Sequence, residues 1–448
     1  MTRHRMAPAD AAWLRMDRPT NLMVVNSVMW FDEPLDPTAL RQVLADRLVE
    51  RFPRFRQCAV EDHGVWWEDA EAFDLEAHLH EVELPAPAGR TELEQFVAEQ
   101  LSVPLDRSRP LWDLYVVSPY EGGGTALYFR MHHAIADGIA LTRVLLSLTD
   151  EPALDVTVGP VTESHGPSLR GAVDLAWHQA IGLVEHPLRL RDLTASVVAD
   201  VAAAAKLLLI PPDHDTALRG EAGTVKAVTW SAPIPLARIK EAGHHGGATV
   251  NDVILAAVAG ALRTHLVRRR SPVHDIRAIV PFNLRPLDEP LPADLGNKFG
   301  LVYLSLPLSR ARRDERLHEM SRRMTAIKHS AEGVVAYGIL ELLGLAPSLV
   351  EDLAIDIFAS KGTGVMTNVP GPRQVVTLAG VPLRGTIGWV PTSGELGLGI
   401  AIFSYAGSVT IGLCVDSGLV PDAKALLGEI ERELDALLRR LAPEQVAH

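Results

Sequence analysis

Two adjacent histidines, followed four residues later by an aspartate, are the residues of this chain best suited to chemistry. The segment covers residues 131–138 and reads MHHAIADG. An imidazole changes its protonation near neutral pH and can act as a general base, and a nearby carboxylate can hold the surrounding turn. The segment therefore predicts a general base at the end of a β-strand.

The preceding residues alternate with the period of a strand, which decides which ring is the base. One face carries Leu127, Phe129 and Met131, and the other carries Ala126, Tyr128 and Arg130. His133 continues the first, apolar face, and His132 points the opposite way, so the two rings cannot serve one small reacting centre. We assign the base to His133, because water-poor surroundings favour the neutral ring and its ordinary pKa of about 6.5 already suits the task.

The residues around His133 are expected to shape the turn rather than to exchange protons. We expect His132 to orient the turn and Asp137 to anchor it, either by accepting hydrogen bonds or by pairing with an arginine. Arg277 and Arg285 are the candidate arginines. Gly138 is predicted to permit a tight turn.

Other interpretations of the histidine pair remain open at this stage. A histidine on an apolar strand face is commonly a hydrogen-bonded core residue, and an isolated H-x-x-x-D spacing is weak evidence. A metal site is disfavoured, because adjacent rings on opposite faces make poor co-ligands and the two cysteines, Cys58 and Cys414, show no metal-binding spacing. The sequence has no G-x-S-x-G motif and no cysteine beside a histidine, so no nucleophile for a covalent intermediate is evident.

Asn251 is a second candidate. It lies in the first turn of a predicted helix, between Thr249 and Asp252, which can form a capping box. Two interpretations are open: Asn251 helps the cap, or its amide faces the reaction centre and donates a hydrogen bond to the substrate or to an oxyanion.

Length and hydrophobic periodicity predict an α/β protein with two domains. The chain has 448 residues, 47% of them hydrophobic, which is enough for two cores. We predict an N-terminal domain over 1–155, a helical connector over 156–222 and a C-terminal domain over 223–448. Strands are predicted at 114–118, 125–131, 225–230, 276–281 and 299–306, with a hairpin at 399–405 and 408–415. Helices are predicted at 37–51, 139–148 and 422–441.

Charge and targeting signals limit the partners. The formal net charge of −13 disfavours nucleic acid, which needs a basic surface, and the basic triplet 268–270 is interpreted as a solvated helix end. We do not expect the N-terminal residues to form a signal peptide, because a charged start is not followed by a long apolar segment. The apolar segment 195–210 is interrupted by Asp200 and Lys206, so we predict no transmembrane helix there. A cytoplasmic location is expected.

Several ordered motifs then resemble a known family. The HHxxxDG pattern of residues 132–138 resembles the acyl-CoA-dependent acyltransferase superfamily, which includes chloramphenicol acetyltransferase-like enzymes and condensation domains. Together with RPLW at 109–112, NDVILA at 251–256 and TNVPGP at 367–372, it resembles the bacterial wax ester synthase/acyl-CoA:diacylglycerol acyltransferase family. The opening residues 7–21 also look like that family, whereas about 155–222 carry no family motif.

The resemblance implies both fold and chemistry. It implies two chloramphenicol acetyltransferase-like domains, each a mixed sheet with flanking helices, joined by a helical crossover. It implies an O-acyltransferase that esterifies a long-chain fatty alcohol or a diacylglycerol, giving wax ester or triacylglycerol, with acyl-CoA as substrate and no further cofactor. Pro110, Leu111 and Trp112 would line the acyl tunnel, or form core; Thr367 and Asn368 would shape the site, or form a rigid turn.

Two rival functions are kept. One is an acyltransferase of the same fold that uses a carrier-bound donor or a polyketide or peptide acceptor. The other is a non-catalytic homologue that binds acyl chains or acts as a scaffold. The expected partners are acyl-CoA and a lipid alcohol, without nucleic acid; peripheral contact with the inner membrane face or lipid droplets, and a monomeric or homodimeric state, stay open.

Overall fold

Two mixed β-sheets, each with its own hydrophobic core and flanking helices, form the body of the protein. A computed structural model describes residues 3–151, 158–159, 210–285, 289–328, 336–339, 356–392 and 396–442. The predicted α/β class with two mixed sheets is confirmed in these residues. Most of the predicted connector, including residues 195–209, lies outside them, so the helical crossover stays a prediction.

The first half of the chain alternates strands and helices. Its elements are β1 (Arg3–Arg5), α1 (Pro8–Arg15), β2 (Val24–Phe31), α2 (Pro37–Val43), β3 (Gln57–Glu61), β4 (Val65–Asp69), β5 (Leu79–Val82), α3 (Arg90–Gln100), β6 (Trp112–Tyr120), β7 (Gly124–His132) and α4 (Gly138–Leu146). The helix predicted over 37–51 changes geometry within its length, because α2 continues as a π-helical turn, Leu44–Val49. Strands β1, β4 and β3 form a small separate sheet.

The second half supplies the remaining elements. They are β8 (Val158–Gly159), β9 (Lys226–Trp230), β10 (Ile234–Pro235), α5 (Leu236–His245), α6 (Val250–Arg268), β11 (Ile276–Asn283), β12 (Leu291–Pro292), β13 (Phe299–Leu306), α7 (Arg313–Lys328), β14 (Gly364–Pro370), β15 (Thr377–Leu378), β16 (Val381–Trp389), β17 (Leu398–Tyr405), β18 (Ser408–Asp416) and α8 (Ala423–Leu441).

The first large sheet has the order β15-β16-β2-β7-β6-β5, so it contains strands from both halves of the chain. β16 pairs antiparallel with β2 and covers an edge of β2 that would otherwise be unpaired. The domain prediction of 1–155 and 223–448 is therefore wrong in one respect, because residues 377–389 belong to the first sheet. Neighbours in a sheet need not be neighbours in sequence, and alternation along β16 carries no information about its partner.

The second large sheet has the order β10-β18-β17-β14-β11-β13, with β9 also paired to β18. β14 runs parallel to both β11 and β17, and β17 forms the predicted hairpin with β18. Ala406 and Gly407 connect the hairpin with φ values of 45° and 78°, the left-handed conformation that suits a two-residue turn. β14 also carries Thr367 and Asn368, which line a cavity together with the histidine turn.

Helix α6 is the central helix of the second core. Thr249 and Asp252 form the predicted capping box, with a Thr249 N–H to Asp252 Oδ2 distance of 2.8 Å. α6 is long and apolar enough to cross a membrane, but 67% of its most apolar window is buried. Because it packs against α7 and α8, we interpret it as a core helix.

Candidate active site

The turn between β7 and α4 is held by Asp137. Its Oδ1 accepts the N–H of Ala140 at 2.8 Å, which caps α4, and its Oδ2 accepts the N–H of Lys298 at 3.2 Å. The first bond satisfies a donor that a helix start otherwise leaves free. The second bond ties the turn to the loop before β13. Asp137 therefore anchors the turn through backbone donors.

The predicted arginine partner of Asp137 is wrong. Arg277 lies 3.5 Å from the carboxylate of Asp213 and donates to backbone carbonyls near it. Arg285 donates to the carbonyl of Leu295. Backbone N–H groups already occupy both oxygens of Asp137, so the turn does not require an arginine.

Gly138 is needed for space rather than for backbone freedom. It is the first residue of α4 and has no positive φ, unlike the turn glycines of this protein. A Cβ added to Gly138 would lie 2.9 Å from Cγ1 of Val390, which is too close for carbon atoms. The predicted tight-turn role is therefore wrong, and the small residue lets Val390, which directly follows β16, approach the helix.

His132 is tied at both ring nitrogens. Its Nδ1 accepts the N–H of Ala134 at 3.0 Å, so Nε2 carries the proton and donates to Asp17 at 3.2 Å. Burial opposes ionisation of Asp17, yet bonds from His132, Met23 and Arg107 hold its pKa below the ordinary value. These contacts fit the predicted role of His132 in orienting the turn.

The PLW segment lies behind His132. The carbonyl of Leu111 accepts the N–H of His132 at 2.9 Å, and the Trp112 ring stacks on His78 with centroids 4.4 Å apart. Pro110, Leu111 and Trp112 are all buried, and neither of the two cavities described below is lined by them. Their placement agrees with the core interpretation rather than with an acyl tunnel.

His133 lies on the other side of the strand end, packed between aromatic rings. Its backbone N–H donates to the carbonyl of Met23 at 2.7 Å. The imidazole stacks on Trp13 with centroids 4.2 Å apart and lies 5.5 Å from the Phe299 ring. Only 3% of the residue is exposed. Trp13 comes from α1 and Phe299 from β13, so residues from both halves of the chain enclose the ring.

The His133 ring is neutral over the whole working range of pH. Burial, and next the neighbouring His132, lower its pKa to about 3, although its own carbonyl and the Asn297 side chain favour the protonated form. The ordinary value of about 6.5 that we expected is therefore too high. Nδ1 is buried without a hydrogen-bond partner among the described residues, which leaves Nε2 as the nitrogen available to a substrate.

A cavity of about 730 Å³, including its mouth, opens at this ring. α1 contributes Trp13, the turn contributes His133 and Gly138, and β14 contributes Thr367 and Asn368. The predicted pair Thr367 and Asn368 thus lies in the same cavity as the predicted base. Clefts between sheets of this kind are common ligand sites.

Asn251 does not reach this cavity directly. Its Oδ1 accepts a hydrogen bond from Nδ2 of Asn368 at 3.1 Å. The amide of Asn251 therefore lies one side chain behind the cavity, where it orients Asn368. The expected direct contact with the reaction centre is not present in this structure.

A second cavity of about 550 Å³, including its mouth, adjoins the first, between α4 and the first sheet. The two cavities share Gly138, Thr367, Val369 and Val390. Most side chains that line the second cavity are apolar, among them Val25, Met29, Met131, Leu141, Leu145 and Phe403. The space is suited to a hydrocarbon chain that starts near His133.

Sequence reasoning missed three residues of the site. Asp10 and Trp13 lie one helical turn apart on α1 and so share a face. Asn297 donates to Asp10 and to the His133 carbonyl, each at 2.8 Å. A buried acidic residue inside the otherwise apolar stretch 9–14 was an available signal, whereas nothing local marks Asn297.

The loop before β13 clamps the turn with three consecutive residues. Gly296 donates to the Ile135 carbonyl at 3.1 Å, Asn297 donates to the His133 carbonyl, and Lys298 donates to Asp137.

Within the part of the chain that the structure describes, no group of three histidine, cysteine or acidic residues could hold a metal ion.

A buried histidine in an HHxxxDG turn, enclosed by two mixed sheets, is the arrangement of the chloramphenicol acetyltransferase-like fold. The first condensation domain of the calcium-dependent antibiotic synthetase shares this fold, with a TM-score of 0.61, 17% identity and coverage of 100% of this chain and 97% of that one. The wax ester synthase/diacylglycerol acyltransferase from Marinobacter aquaeolei VT8 superposes with a TM-score of 0.70, 22% identity and coverage of 98% and 99%.

Sequence comparison defines the family. Residues 6–254 match the wax ester synthase/diacylglycerol acyltransferase catalytic domain, and residues 295–438 match the WS/DGAT C-terminal domain. The chain therefore belongs to the wax ester synthase/diacylglycerol acyltransferase family. Similar proteins include a putative diacylglycerol O-acyltransferase of Mycobacterium tuberculosis, 31% identical over 84% of this chain and 82% of that protein, and the O-acyltransferase WSD of Acinetobacter baylyi, 24% identical over 95% of each.

Proposed function

We propose that this protein transfers the acyl group of an acyl-CoA to the hydroxyl group of a lipid alcohol. The alcohol is a long-chain fatty alcohol or a diacylglycerol, and the product is a wax ester or a triacylglycerol. The observation that carries the proposal is the neutral His133 ring, which presents one nitrogen to a cavity with a largely apolar extension. Family membership supports the reaction class.

His133 acts as the general base in a direct transfer. Nε2 takes the proton of the alcohol as its oxygen adds to the thioester carbonyl, the C–S bond then breaks, and the imidazolium returns the proton to the coenzyme A thiolate. A positioned base contributes about 10² to 10⁴ in rate. The low pKa keeps the ring free to accept a proton, and it also means that the cation formed during the reaction needs support from neighbouring groups.

The thioester oxygen gains negative charge during the addition. Thr367 and Asn368 supply a hydroxyl and an amide to the cavity that holds His133, and we assign the stabilising hydrogen bonds to this pair. Asn251 orients the Asn368 amide through the bond of 3.1 Å. In this proposal Asn251 acts through Asn368 and does not touch the substrate.

The second cavity receives a hydrocarbon chain of one substrate. Its apolar lining begins at Gly138 and Val390, which also line the reaction cavity, so a chain can extend from the reacting carbon into it. Burying each methylene contributes about 0.8 kcal/mol, which favours long chains over short ones. A cytoplasmic location, with peripheral contact at membranes or lipid droplets, remains a prediction.

Thiol release from palmitoyl-CoA by the purified protein tests the proposal. Hexadecanol and a diacylglycerol are offered separately, and the His133→Ala variant is measured beside the wild type. We expect release that depends on the alcohol and is lost in the variant; the preferred alcohol then defines the acceptor. No release with either alcohol, or full activity of the variant, would contradict the proposal, and carrier-bound acyl donors would then be tested.

A further inference from the structure

The side chain of Asn297 lies between an acidic residue and the His133 backbone. Its Nδ2 donates to Oδ1 of Asp10 and to the carbonyl of His133, each at 2.8 Å. The backbone N–H of Asn297 also donates to Asp10, at 2.9 Å. Asn297 belongs to the second half of the chain, whereas Asp10 and His133 belong to the first, so one amide joins the two halves at the base.

The contacts of Asn297 define which way its amide points. An ionised carboxylate and a carbonyl only accept hydrogen bonds, so the NH₂ group must face Asp10 and the His133 carbonyl. Oδ1 then points elsewhere, and it is buried without a hydrogen-bond partner among the described residues. Nδ1 of His133 is likewise buried without a hydrogen-bond partner among the described residues. Two unsatisfied buried atoms, one an acceptor and one able to donate, thus belong to residues already in contact.

We propose that Asn297 is a positioning residue whose Oδ1 receives the Nδ1 proton of His133, and that Asp10 fixes the Asn297 amide for this role. A neutral imidazole carries one N–H. Placing it on Nδ1 leaves the lone pair of Nε2 directed at the cavity, where the general base of the proposed function requires it. The inference rests on that function only for its effect on rate, since the position of the proton is a property of the free protein.

The His133 carbonyl is the competing acceptor for the same proton. That oxygen already accepts Nδ2 of Asn297 at 2.8 Å. Asn297 therefore affects both candidate acceptors of the Nδ1 proton. It supplies Oδ1, and its Nδ2 donates a hydrogen bond that holds the His133 carbonyl in place. The same amide oxygen stabilises the imidazolium while His133 carries the substrate proton.

The position of the proton is measured by ¹⁵N NMR of histidine-labelled free protein, with His133→Ala used to assign the signals. In the wild type we expect His133 to be protonated at Nδ1. In Asn297→Ala we expect a mixture of tautomers or protonation at Nε2. An unchanged Nδ1–H tautomer in that variant would overturn the proposal and identify the His133 carbonyl as the acceptor of the Nδ1–H hydrogen bond.

A second variant keeps the test valid if Asn297→Ala does not fold. Asn297→Leu keeps the branched shape of the side chain and removes its acceptor oxygen, whereas Asn297→Asp combined with Asp10→Asn keeps an acceptor oxygen at residue 297 and a single carboxylate. We expect Asn297→Leu to lose the Nδ1–H tautomer and the double variant to keep it. A folded Asn297→Leu that keeps this tautomer, or a folded double variant that lacks it, would overturn the proposal.

Kinetics then separate positioning from binding. Asn297→Ala should lower kcat about 10² -fold and leave KM unchanged, because a misdirected base affects the chemical step. The control is Thr229→Val, which removes another buried hydrogen bond between the halves, from Thr229 to Glu94 at 2.8 Å, away from both cavities. We expect wild-type kcat for it. Equal losses in Thr229→Val and Asn297→Ala would indicate a merely structural role and overturn the proposal.

Discussion

The two histidines at the end of β7 have opposite surroundings, although they are adjacent in sequence. On one face, His132 uses both ring nitrogens, and its partner Asp17 has a lowered pKa. On the other, the His133 ring has aromatic neighbours and no hydrogen-bond partner for Nδ1 among the described residues, and Asn297 links the His133 backbone to Asp10, whose pKa is raised to about 6. The first arrangement stabilises the fold, and the second sacrifices stability for a reactive ring.

His133→Ala should produce the largest change in rate and a moderate loss of stability. Removing the base lowers kcat about 10² to 10⁴-fold. The buried ring packs between Trp13 and Phe299, so its removal also leaves a cavity, which should lower the free energy of unfolding by about 2 to 5 kcal/mol. Thiol release and urea unfolding measure the two effects. A folded variant with wild-type kcat would contradict the role of His133.

Asp10→Asn should stabilise the protein at pH 8 while lowering its activity. Burial raises the pKa of Asp10, and Asp137 adds repulsion, whereas Asn297 and Arg54 lower it; the result is about 6 against an ordinary 3.8. Because the pKa of Asp10 is higher in the folded than in the unfolded protein, the stability that Asp10 contributes is fully present below pH 3.8. It is lost as the pH rises through about 6, and the ionised Asp10 then lowers the free energy of unfolding by roughly 3 kcal/mol.

The asparagine avoids that cost, so its advantage in unfolding free energy should be large at pH 8 and shrink towards pH 4. Urea unfolding at several pH values checks the slope. An advantage that does not depend on pH would show that ionisation of Asp10 is not its cause.

Asp17→Asn should have the opposite effect on stability. The pKa of Asp17 is lowered, so its carboxylate contributes stability above the ordinary pKa, and this is lost as the pH falls through the lowered value. The variant weakens the bonds with His132 and Arg107 and should lose about 1 to 3 kcal/mol at pH 7, and this loss should shrink as the pH falls below 3.8. Thermal or urea unfolding measures the difference, and a more stable variant at pH 7 would contradict the contrast with Asp10.

Gly138→Ala should have the smallest effect on folding and a selective effect on substrates. The added methyl group meets Val390 between the two cavities, so long acyl chains should lose more activity than short ones. The double variant with Val390→Ala removes the obstructing methyl groups and should recover long-chain activity. Rates with a series of acyl-CoA chain lengths test this. Equal losses for every chain length would place the hydrocarbon chain elsewhere.

Local sequence patterns predicted the helices and strands well, but they did not predict every pairing between strands. Alternation identified β7 and β13, and the capping residues identified the start of α6, because these signals are contained in consecutive residues. The place of β16 in the first sheet was missed, since strand pairing over a long sequence separation leaves no local trace.

The site shows the same limit. His133, Thr367 and Asn368 were predicted and share a cavity, whereas Trp13 and Asn297 were missed because folding alone brings them to His133. The arginine partner of Asp137 was wrong because backbone donors satisfy that carboxylate. Sequence order cannot show which of several donors will fill a buried acceptor.

The position of β16 also has a consequence for synthesis on the ribosome. Domains commonly fold from the N-terminus while the rest of the chain is still being made. Here one edge of β2 pairs with β7, but the other edge has no neighbour until Trp389 has left the exit tunnel, so the sheet that carries His133 stays incomplete through most of translation. During that interval the nascent chain exposes an unpaired edge of a strand that is buried in the folded protein, and we expect chaperones to associate with it before the acyltransferase is complete.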